Sequence, residues 1–272
     1  MKLPIAIQLF SLRNSMANDI EGTLTAIKEM GYDGVEFAGL YEKEPQELRR
    51  ICEKVGLIPI SSHIGYPWIL DDIDRHVAES VELGVKYVGI SYMHRDFHKG
   101  GDKHEGVYEH LKMISTKFRE KGIQLLYHNH HFEMCESEGK RLYEWLFEAM
   151  TPEELQPEEL QPEIDTAWIE LEVGEAEKYI RAFKDRCDLV HIKSYYGKEG
   201  FDALVHSPDE PKARHMFDFC NYKRGRVDVP AMVKASIDSG AKWLVVEQDR
   251  TDDGLSELES AKINIDVLKT FN

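Results

Sequence analysis

The sequence predicts an α/β protein whose single domain, residues 1–272, is a (β/α)8 barrel of the TIM-barrel class. Two observations indicate this fold. At several points a glycine that ends a predicted helix is followed by an apolar run, and these runs do not alternate between apolar and polar residues. Apolar strands separated by helices indicate a parallel sheet covered on both faces. A doubly wound open sheet is the structural alternative, but no G-x-G-x-x-G motif follows an early strand.

Eight predicted strands follow one another along the chain. The first lies at Pro4–Phe10. Five segments each combine a helix end, a glycine suited to the left-handed position after a helix, and an apolar run. These segments are 29–37, 53–63, 82–91, 120–130 and 238–247. Two further strands, around Gln161–Thr166 and Asp188–Lys193, fill the gaps and complete the set.

Amphipathic segments between these strands predict the helices, because apolar residues recur at helical spacing within 20–27, 73–81, 176–183 and 258–268. Two segments interrupt the rhythm. Residues 151–162 contain EELQP twice and predict an exposed connection ahead of the sixth strand. Residues 195–228 form a long polar connection after the seventh strand, and such loops commonly act as functional lids or partner-binding segments.

The composition limits the classes of partner. The net charge of −16 argues against a nucleic-acid or anionic-membrane surface, because phosphate binding needs clustered Lys and Arg. The substrate is therefore expected to be neutral, or an anion held by a few basic groups. The four cysteines form no C-x-x-C pair, and the apolar run at the N-terminus is too short for a signal peptide. We therefore expect a soluble cytoplasmic protein with reduced thiols.

Ionisable residues stand at nearly every predicted strand end, where a barrel of this kind places its active site. They include Glu36, His63, His128, His130, Glu133, Asp165, His191, Lys193, Glu247 and Asp249. The convergence of Glu133, Asp165, His191 and Glu247 suits one divalent metal ion. Three carboxylates favour Mn²⁺ or Mg²⁺, and Co²⁺ or Zn²⁺ also suit the set.

Four motifs occur in order at strand ends: YHNHHFE at 127–133, DTAW at 165–168, HIK at 191–193 and VEQD at 246–249. In this order they resemble the xylose isomerase-like TIM-barrel superfamily. Its members include sugar phosphate isomerases/epimerases, ketose 3-epimerases and inosose dehydratases. The resemblance implies one divalent ion held by a Glu of strand five, an Asp of strand six, a His of strand seven and a Glu of strand eight.

Asp165, His191 and Glu247 match the last three positions of that ligand pattern. The first position departs from it, because many relatives carry Glu where this chain has His128. Either His128 replaces that Glu as the ligand or Glu133 supplies the carboxylate. We expect Glu133, because it preserves the charge of the ligand set.

Side chains beside the expected metal are candidates for proton transfer and substrate binding. His130, Glu133 and Glu247 are the predicted catalytic residues. Glu36, His63, Trp168 and Lys193 are the predicted substrate contacts. Each of these four has a plainer alternative. Glu36 could pair with a cation, His63 could be a structural histidine, Trp168 could serve only for packing, and Lys193 could only balance the carboxylates.

The predicted function is that of a divalent-metal-dependent isomerase or epimerase of a sugar or sugar phosphate. It would abstract the proton next to a carbonyl, and the metal would stabilise the resulting enediolate. The alternative is a metal-dependent dehydratase or lyase acting on a keto-cyclitol or keto-sugar, because elimination begins with the same step. Phosphodiester cleavage and non-catalytic sugar binding are further readings, and the acidic charge disfavours the first. The expected partner is a carbohydrate or cyclitol, with self-association into a homo-oligomer as a further expectation.

Overall fold

Eight parallel strands close into a barrel in this computed structural model, which describes residues 2–149, 160–197, 217–252 and 254–272. The barrel strands are β1 Ile5–Gln8, β2 Gly34–Phe37, β3 Ile58–Ile64, β4 Tyr87–Ile90, β5 Gln124–His128, β6 Gln161–Asp165, β7 Leu189–Ile192 and β8 Trp243–Val246. Each strand pairs with the next one along the chain, and β8 closes on β1 with Leu244 opposite Ile5. The predicted barrel and all eight predicted strand positions are confirmed.

Helices flank the barrel strands. Those described are α1 Arg13–Asn18, α2 Ile20–Met30, α3 Pro45–Val55, α4 Tyr66–Asp71, α5 Ile73–Leu83, α6 Val107–Arg119, α7 Leu142–Ala149, α8 Thr166–Glu172, α9 Ala176–Ala182, α10 Val229–Asp238 and α11 Glu257–Phe271. Short 3-10 turns lie at Leu9–Leu12, Arg95–Phe97 and Phe132–Met134. Of the helices in the described part of the chain, none has the length and apolar content needed to cross a bilayer.

The helix-end glycines work as the sequence predicts. Gly31 ends α2 with a φ of 97°, and its N–H returns to the carbonyl of Ile27. Gly56 ends α3 with a φ of 86°. A residue with a side chain is strained in this left-handed conformation, so glycine lets the chain turn directly from each helix into the next strand.

The inside of the barrel is filled by one small apolar layer. It consists of Ala6, Ile60, Leu126, Leu189 and Val245, all buried and separate from the larger core beneath the helices. Successive side chains of a strand point to opposite faces. The residues two positions further along β1, β5 and β7, and just beyond β8, are Gln8, His128, His191 and Glu247. The barrel therefore projects these polar side chains inward, one step nearer the carboxyl end than the apolar layer.

The two interrupting segments are described only in part. Residues 151–159 of the EELQP repeat, and residues 198–216 of the long connection, lie outside the described residues. On either side of the second gap, Tyr195–Gly197 pairs antiparallel with Phe217–Phe219. Another short antiparallel pair joins Glu136–Ser137 to Lys140–Arg141.

Candidate metal centre and active site

Four buried side chains meet at the carboxyl end of the barrel. His128, Asp165, His191 and Glu247 each offer one ligand atom, and these atoms all lie within 4.8 Å of one another. Nδ1 of His191 lies 2.7 Å from Oε2 of Glu247. Nε2 of His128 lies 3.9 Å from Oδ2 of Asp165 and 4.0 Å from Oε2 of Glu247. We call these four residues the outer cluster.

A second group lies deeper in the barrel and shares two residues with the first. It combines His63 and Glu163 with His128 and His191, and we call it the inner cluster. Oε2 of Glu163 lies 2.6 Å from Nε2 of His63, and Oε1 lies 3.4 Å from Nε2 of His191. Because Glu163 precedes Asp165 by two residues on β6, it points to the same face from one step further inside.

Glu36 adjoins the inner cluster. Its Oε1 accepts a hydrogen bond from Nε2 of Gln8 at 2.8 Å and lies 2.9 Å from Nε2 of His191. The same oxygen lies 3.2 Å from Nε2 of His63. Glu36 is fully buried in this network. In its described contacts Glu36 therefore holds His63 and His191. These contacts favour a role as the partner of cationic groups over direct contact with a sugar.

Lys193 is the buried cation beside the outer cluster. Its Nζ lies 2.8 Å from Oδ1 of Asp249, 3.4 Å from Oδ2 of Asp165 and 3.5 Å from Oε1 of Glu247. The ammonium group also stands over the Trp168 ring, 5.1 Å from its centre. Burial opposes the charged form, but Asp249 and the other carboxylates outweigh it and raise the pKa of Lys193. Lys193 therefore carries a positive charge in the site.

Burial and neighbouring charges act in opposite directions on the protonation of the outer cluster. Burial raises the pKa of Asp165 to about 7, although Lys193 opposes the shift. Burial acts in the same direction on Glu247, but Lys193 and His191 outweigh it and lower its pKa well below the usual range. Burial lowers the pKa of His128 to about 4, so this imidazole is neutral and keeps a lone pair.

The outer cluster fits a divalent cation. Oδ1 of Asp165 accepts hydrogen bonds from the N–H groups of Ala167 and Trp168, whereas Oδ2 is buried without a hydrogen-bond partner among the described residues. Lys193 pairs with Oδ2 at 3.4 Å, yet burial still raises the pKa of Asp165, so a divalent cation would compensate this carboxylate further. Two imidazole nitrogens and two carboxylate oxygens form a common ligand set for first-row metals.

Glu133 lies apart from both clusters. Its Oε1 accepts a 2.8 Å hydrogen bond from the hydroxyl of Tyr127, and its Oε2 accepts one of 2.8 Å from the backbone N–H of His130. The 3-10 turn Phe132–Met134 carries this side chain into a fully buried position. Both oxygens of Glu133 are thus engaged outside the outer cluster, and the residue of β5 that the cluster contains is His128.

Most of the other predicted residues line a cavity of about 640 Å³, and Trp168 lies behind one of them. His63, His130, Lys193 and Glu247 line it. Trp168 packs against the ring of His130, with a distance of 5.4 Å between the ring centres. Burial, together with His128 and Lys193, lowers the pKa of His130 well below its usual value.

Sequence reasoning missed Glu163, which is fully buried at the centre of the inner cluster. A signal for it was present. Glu163 is a charged residue inside a predicted buried strand, and it stands two positions before the predicted ligand Asp165. The two-residue period of a strand places both carboxylates on one face.

Comparisons with known proteins agree with this architecture. A crystal structure of a sugar phosphate isomerase/epimerase from Parabacteroides distasonis aligns with a TM-score of 0.75 at 17% identity, covering 99% of this chain and 94% of that one. An L-ribulose 3-epimerase aligns with a TM-score of 0.69 at 15% identity, covering 99% and 95%. A probable 3-DHS dehydratase from Bacillus anthracis aligns with a TM-score of 0.70 at 13% identity, covering 99% and 100%.

At these identities the alignments establish the fold and not the reaction. No curated protein gives a significant sequence match. The family model for the xylose isomerase-like TIM barrel matches residues 24–271. The chain therefore belongs to the xylose isomerase-like TIM-barrel family.

Proposed function

We propose that this protein is a divalent-metal-dependent isomerase or epimerase that abstracts the proton next to the carbonyl of a keto-sugar. The observation that carries the proposal is the outer cluster, whose four ligand atoms lie within 4.8 Å of one another and in which Oδ2 of Asp165 has an ion pair of 3.4 Å with Lys193 but no hydrogen-bond partner among the described residues. The cluster borders a cavity of about 640 Å³, a volume suited to a small molecule. The isomerase/epimerase neighbours share this fold.

His128, Asp165, His191 and Glu247 are the proposed ligands of one divalent ion. Replacing a carboxylate by the imidazole of His128 makes the set two nitrogens and two oxygens. Nitrogen donors favour Mn²⁺, Co²⁺ or Zn²⁺ over Mg²⁺, so we propose Mn²⁺ ahead of Mg²⁺. The bound ion supplies a Lewis acid that polarises a carbonyl and makes the neighbouring C–H more acidic.

The side chains that line the cavity supply the remaining chemistry. Lys193 is held by Asp249 and carries a charge that stabilises negative charge developing on a substrate oxygen. The neutral imidazole of His130 accepts or returns a proton, since its low pKa leaves Nδ1 or Nε2 with a free lone pair. Glu247 is the second proposed proton carrier, because its lowered pKa keeps it ionised.

The charge of the cavity favours a substrate without a phosphate group. Arg75 and Lys193 are the Arg and Lys side chains among the described residues that line it. Arg75 pairs with Glu79 and Asp72, and Lys193 with its carboxylates. Because Arg75 and Lys193 are both paired with carboxylates, neither is available to bind a phosphate dianion. We therefore propose a neutral keto-sugar or keto-cyclitol.

A dehydratase or lyase is the second candidate. Expulsion of a β-oxygen starts with the same proton abstraction, and a probable 3-DHS dehydratase shares the fold over 99% of this chain. The same residues would act in the first step. The two reactions differ only in whether a proton returns to carbon or an oxygen leaves.

The test is solvent exchange in deuterium oxide with a panel of ketoses and inososes, followed by product analysis. The proposal expects deuterium at the carbon next to the carbonyl, loss of exchange after chelation, and recovery with Mn²⁺. An isomeric product identifies an isomerase or epimerase, and an unsaturated product identifies a lyase. Absence of exchange across the panel, with cleavage of abasic DNA instead, would overturn the proposal in favour of phosphodiester chemistry.

A further inference from the structure

We propose that Glu163 is the positioning residue of the metal centre. It receives a ring N–H from both His128 and His191, and in this way directs the opposite ring nitrogens of the two histidines toward the metal. This inference rests on the proposed function in that it takes the outer cluster as the metal site. It assigns a role to the one buried carboxylate of the two clusters that is outside the proposed ligand set.

The two clusters use opposite nitrogens of the same rings. Nε2 of His128 faces Asp165 and Glu247, while Nδ1 lies 3.7 Å from Oε2 of Glu163. Nδ1 of His191 faces Glu247 at 2.7 Å, while Nε2 lies 2.9 Å from Oε1 of Glu36 and 3.4 Å from Oε1 of Glu163. Each histidine thus turns one nitrogen to the outer cluster and the other to the inner carboxylates, and Glu163 is the carboxylate that both rings share.

The chemistry of imidazole turns this geometry into an assignment. A neutral imidazole carries one lone pair and one N–H. If the lone pairs of His128 and His191 serve a metal in the outer cluster, their N–H groups point at the inner carboxylates. Both oxygens of Glu163 can accept these groups, and a carboxylate behind a histidine ligand fixes the tautomer and the ring orientation.

The same chemistry excludes a second metal on the shared histidines. An ion in the inner cluster would need the lone pairs of Nδ1 of His128 and Nε2 of His191, which are the N–H positions when the outer cluster is filled. Each ring has only one lone pair to give. The two clusters are therefore alternatives for metal binding, and together they hold one ion.

Glu163 is placed for this role by close packing. Its Oε2 lies 2.6 Å from Nε2 of His63, which anchors the carboxylate from the far side. Gly89 on β4 leaves the space that this pair occupies. A Cβ at position 89 would stand 2.8 Å from Oε2 of Glu163 and 2.6 Å from Cδ2 of His63. The bare backbone at this strand position is explained by the approach of the two side chains.

Three buried atoms are still available for the pairing. Nδ1 of His128, Nε2 of His191 and Oε1 of Glu163 have no hydrogen-bond partner among the described residues. Leaving a buried donor and a buried acceptor unmatched is costly. A small rotation of the His128 ring toward Glu163 would satisfy its N–H and would hold Nε2 toward Asp165.

The test compares Glu163→Gln with Glu133→Gln, which makes the same change at another fully buried glutamate outside both clusters. The amide nitrogen that Glu163→Gln introduces cannot accept a ring N–H, so the side chain offers one acceptor oxygen in place of two to the neighbouring rings of His63, His128 and His191. Mn²⁺ affinity is measured by paramagnetic resonance titration, and the number of bound ions by elemental analysis. We expect one ion per chain in the parent protein and a weakening of about 10–100-fold in Glu163→Gln alone.

A second measurement needs no substitution. In the Zn²⁺-loaded parent protein, ¹⁵N-histidine spectra should show the proton on Nδ1 of His128 and on Nε2 of His191. The reverse tautomers, two ions per chain, or equal Mn²⁺ affinity in the two Gln variants would each overturn the role of Glu163. A parent protein that binds no divalent ion would instead overturn the proposed function, so the two failures are distinguishable.

Discussion

The hydroxyl of Tyr127 donates a 2.8 Å hydrogen bond to Oε1 of Glu133, and this pairing holds the carboxylate beneath the turn that follows β5. The other oxygen, Oε2, accepts the backbone N–H of His130. Glu133 therefore fixes the path of the backbone at His130, a proposed proton carrier. The pairing also leaves His128 as the residue of β5 in the proposed ligand set.

The pH dependence of stability tests this burial. Burial raises the pKa of Glu133 to about 7 from an ordinary value of 4.5, so the folded protein binds this proton more tightly than the unfolded chain does. The contribution to stability is therefore fully present below about pH 4.5 and is lost as the pH rises through 7. In chelated protein, the free energy of unfolding should fall between pH 5 and pH 8 by about 2–3 kcal/mol more in the parent than in Glu133→Gln.

Urea unfolding at several pH values measures this difference. The introduced glutamine can still accept the N–H of His130 through its oxygen, while its amide group donates to the hydroxyl of Tyr127. The variant therefore keeps the local hydrogen bonds and removes only the titration. Parallel stability curves for the two proteins would show that Glu133 does not titrate in this range.

Gly89→Ala tests the packing beneath the metal centre. The added Cβ would stand 2.8 Å from Oε2 of Glu163, so the pair that this residue forms with His63 must move. We expect a loss of about 1–3 kcal/mol in the free energy of unfolding, together with weaker Mn²⁺ binding. Gly65→Ala is the matched control, because its Cβ would meet only the ring of Trp68, whose nearest atom lies 3.2 Å away and which is 69% exposed. Equal effects of the two substitutions would rule out a specific role for the close packing of Gly89 against Glu163 and His63.

His130→Ala tests the proposed proton carrier. Its ring lines the cavity, and it is not one of the four proposed ligands. We expect solvent exchange to slow by about 10²–10⁴-fold, with the bound metal content unchanged. His104→Ala, which removes a histidine outside the described cavity lining, serves as the control for exchange rate. Loss of metal from His130→Ala would mean that the residue supports the ligands and does not carry a proton.

The barrel could be predicted from the sequence because local signals repeat along the chain. A left-handed glycine such as Gly31 stops a helix, and an apolar strand follows it. These two signals depend only on neighbouring residues. Asp165, His191 and Glu247 could be placed together for the same reason, since each stands at or just beyond the carboxyl end of a barrel strand.

The fifth strand shows where this reasoning stops. His128 is the last residue of β5, so its direction follows from the strand period. Glu133 comes five residues later, inside the 3-10 turn Phe132–Met134. Where a side chain points beyond a turn depends on tertiary contacts, here with Tyr127, and chain spacing carries no information about them. The position on the strand therefore predicts which residue joins the outer cluster, whereas the charge of the ligand set does not.

The most direct measurement of the proposed ligand set is the divalent-metal content of His128→Ala and Glu133→Gln, each purified, chelated and reloaded with Mn²⁺ beside the parent protein. We predict one ion per chain in the parent and in Glu133→Gln. We predict loss of the ion from His128→Ala, because this change removes one of the four ligand atoms that lie within 4.8 Å of one another. Full metal content in His128→Ala with an empty site in Glu133→Gln would contradict the assignment.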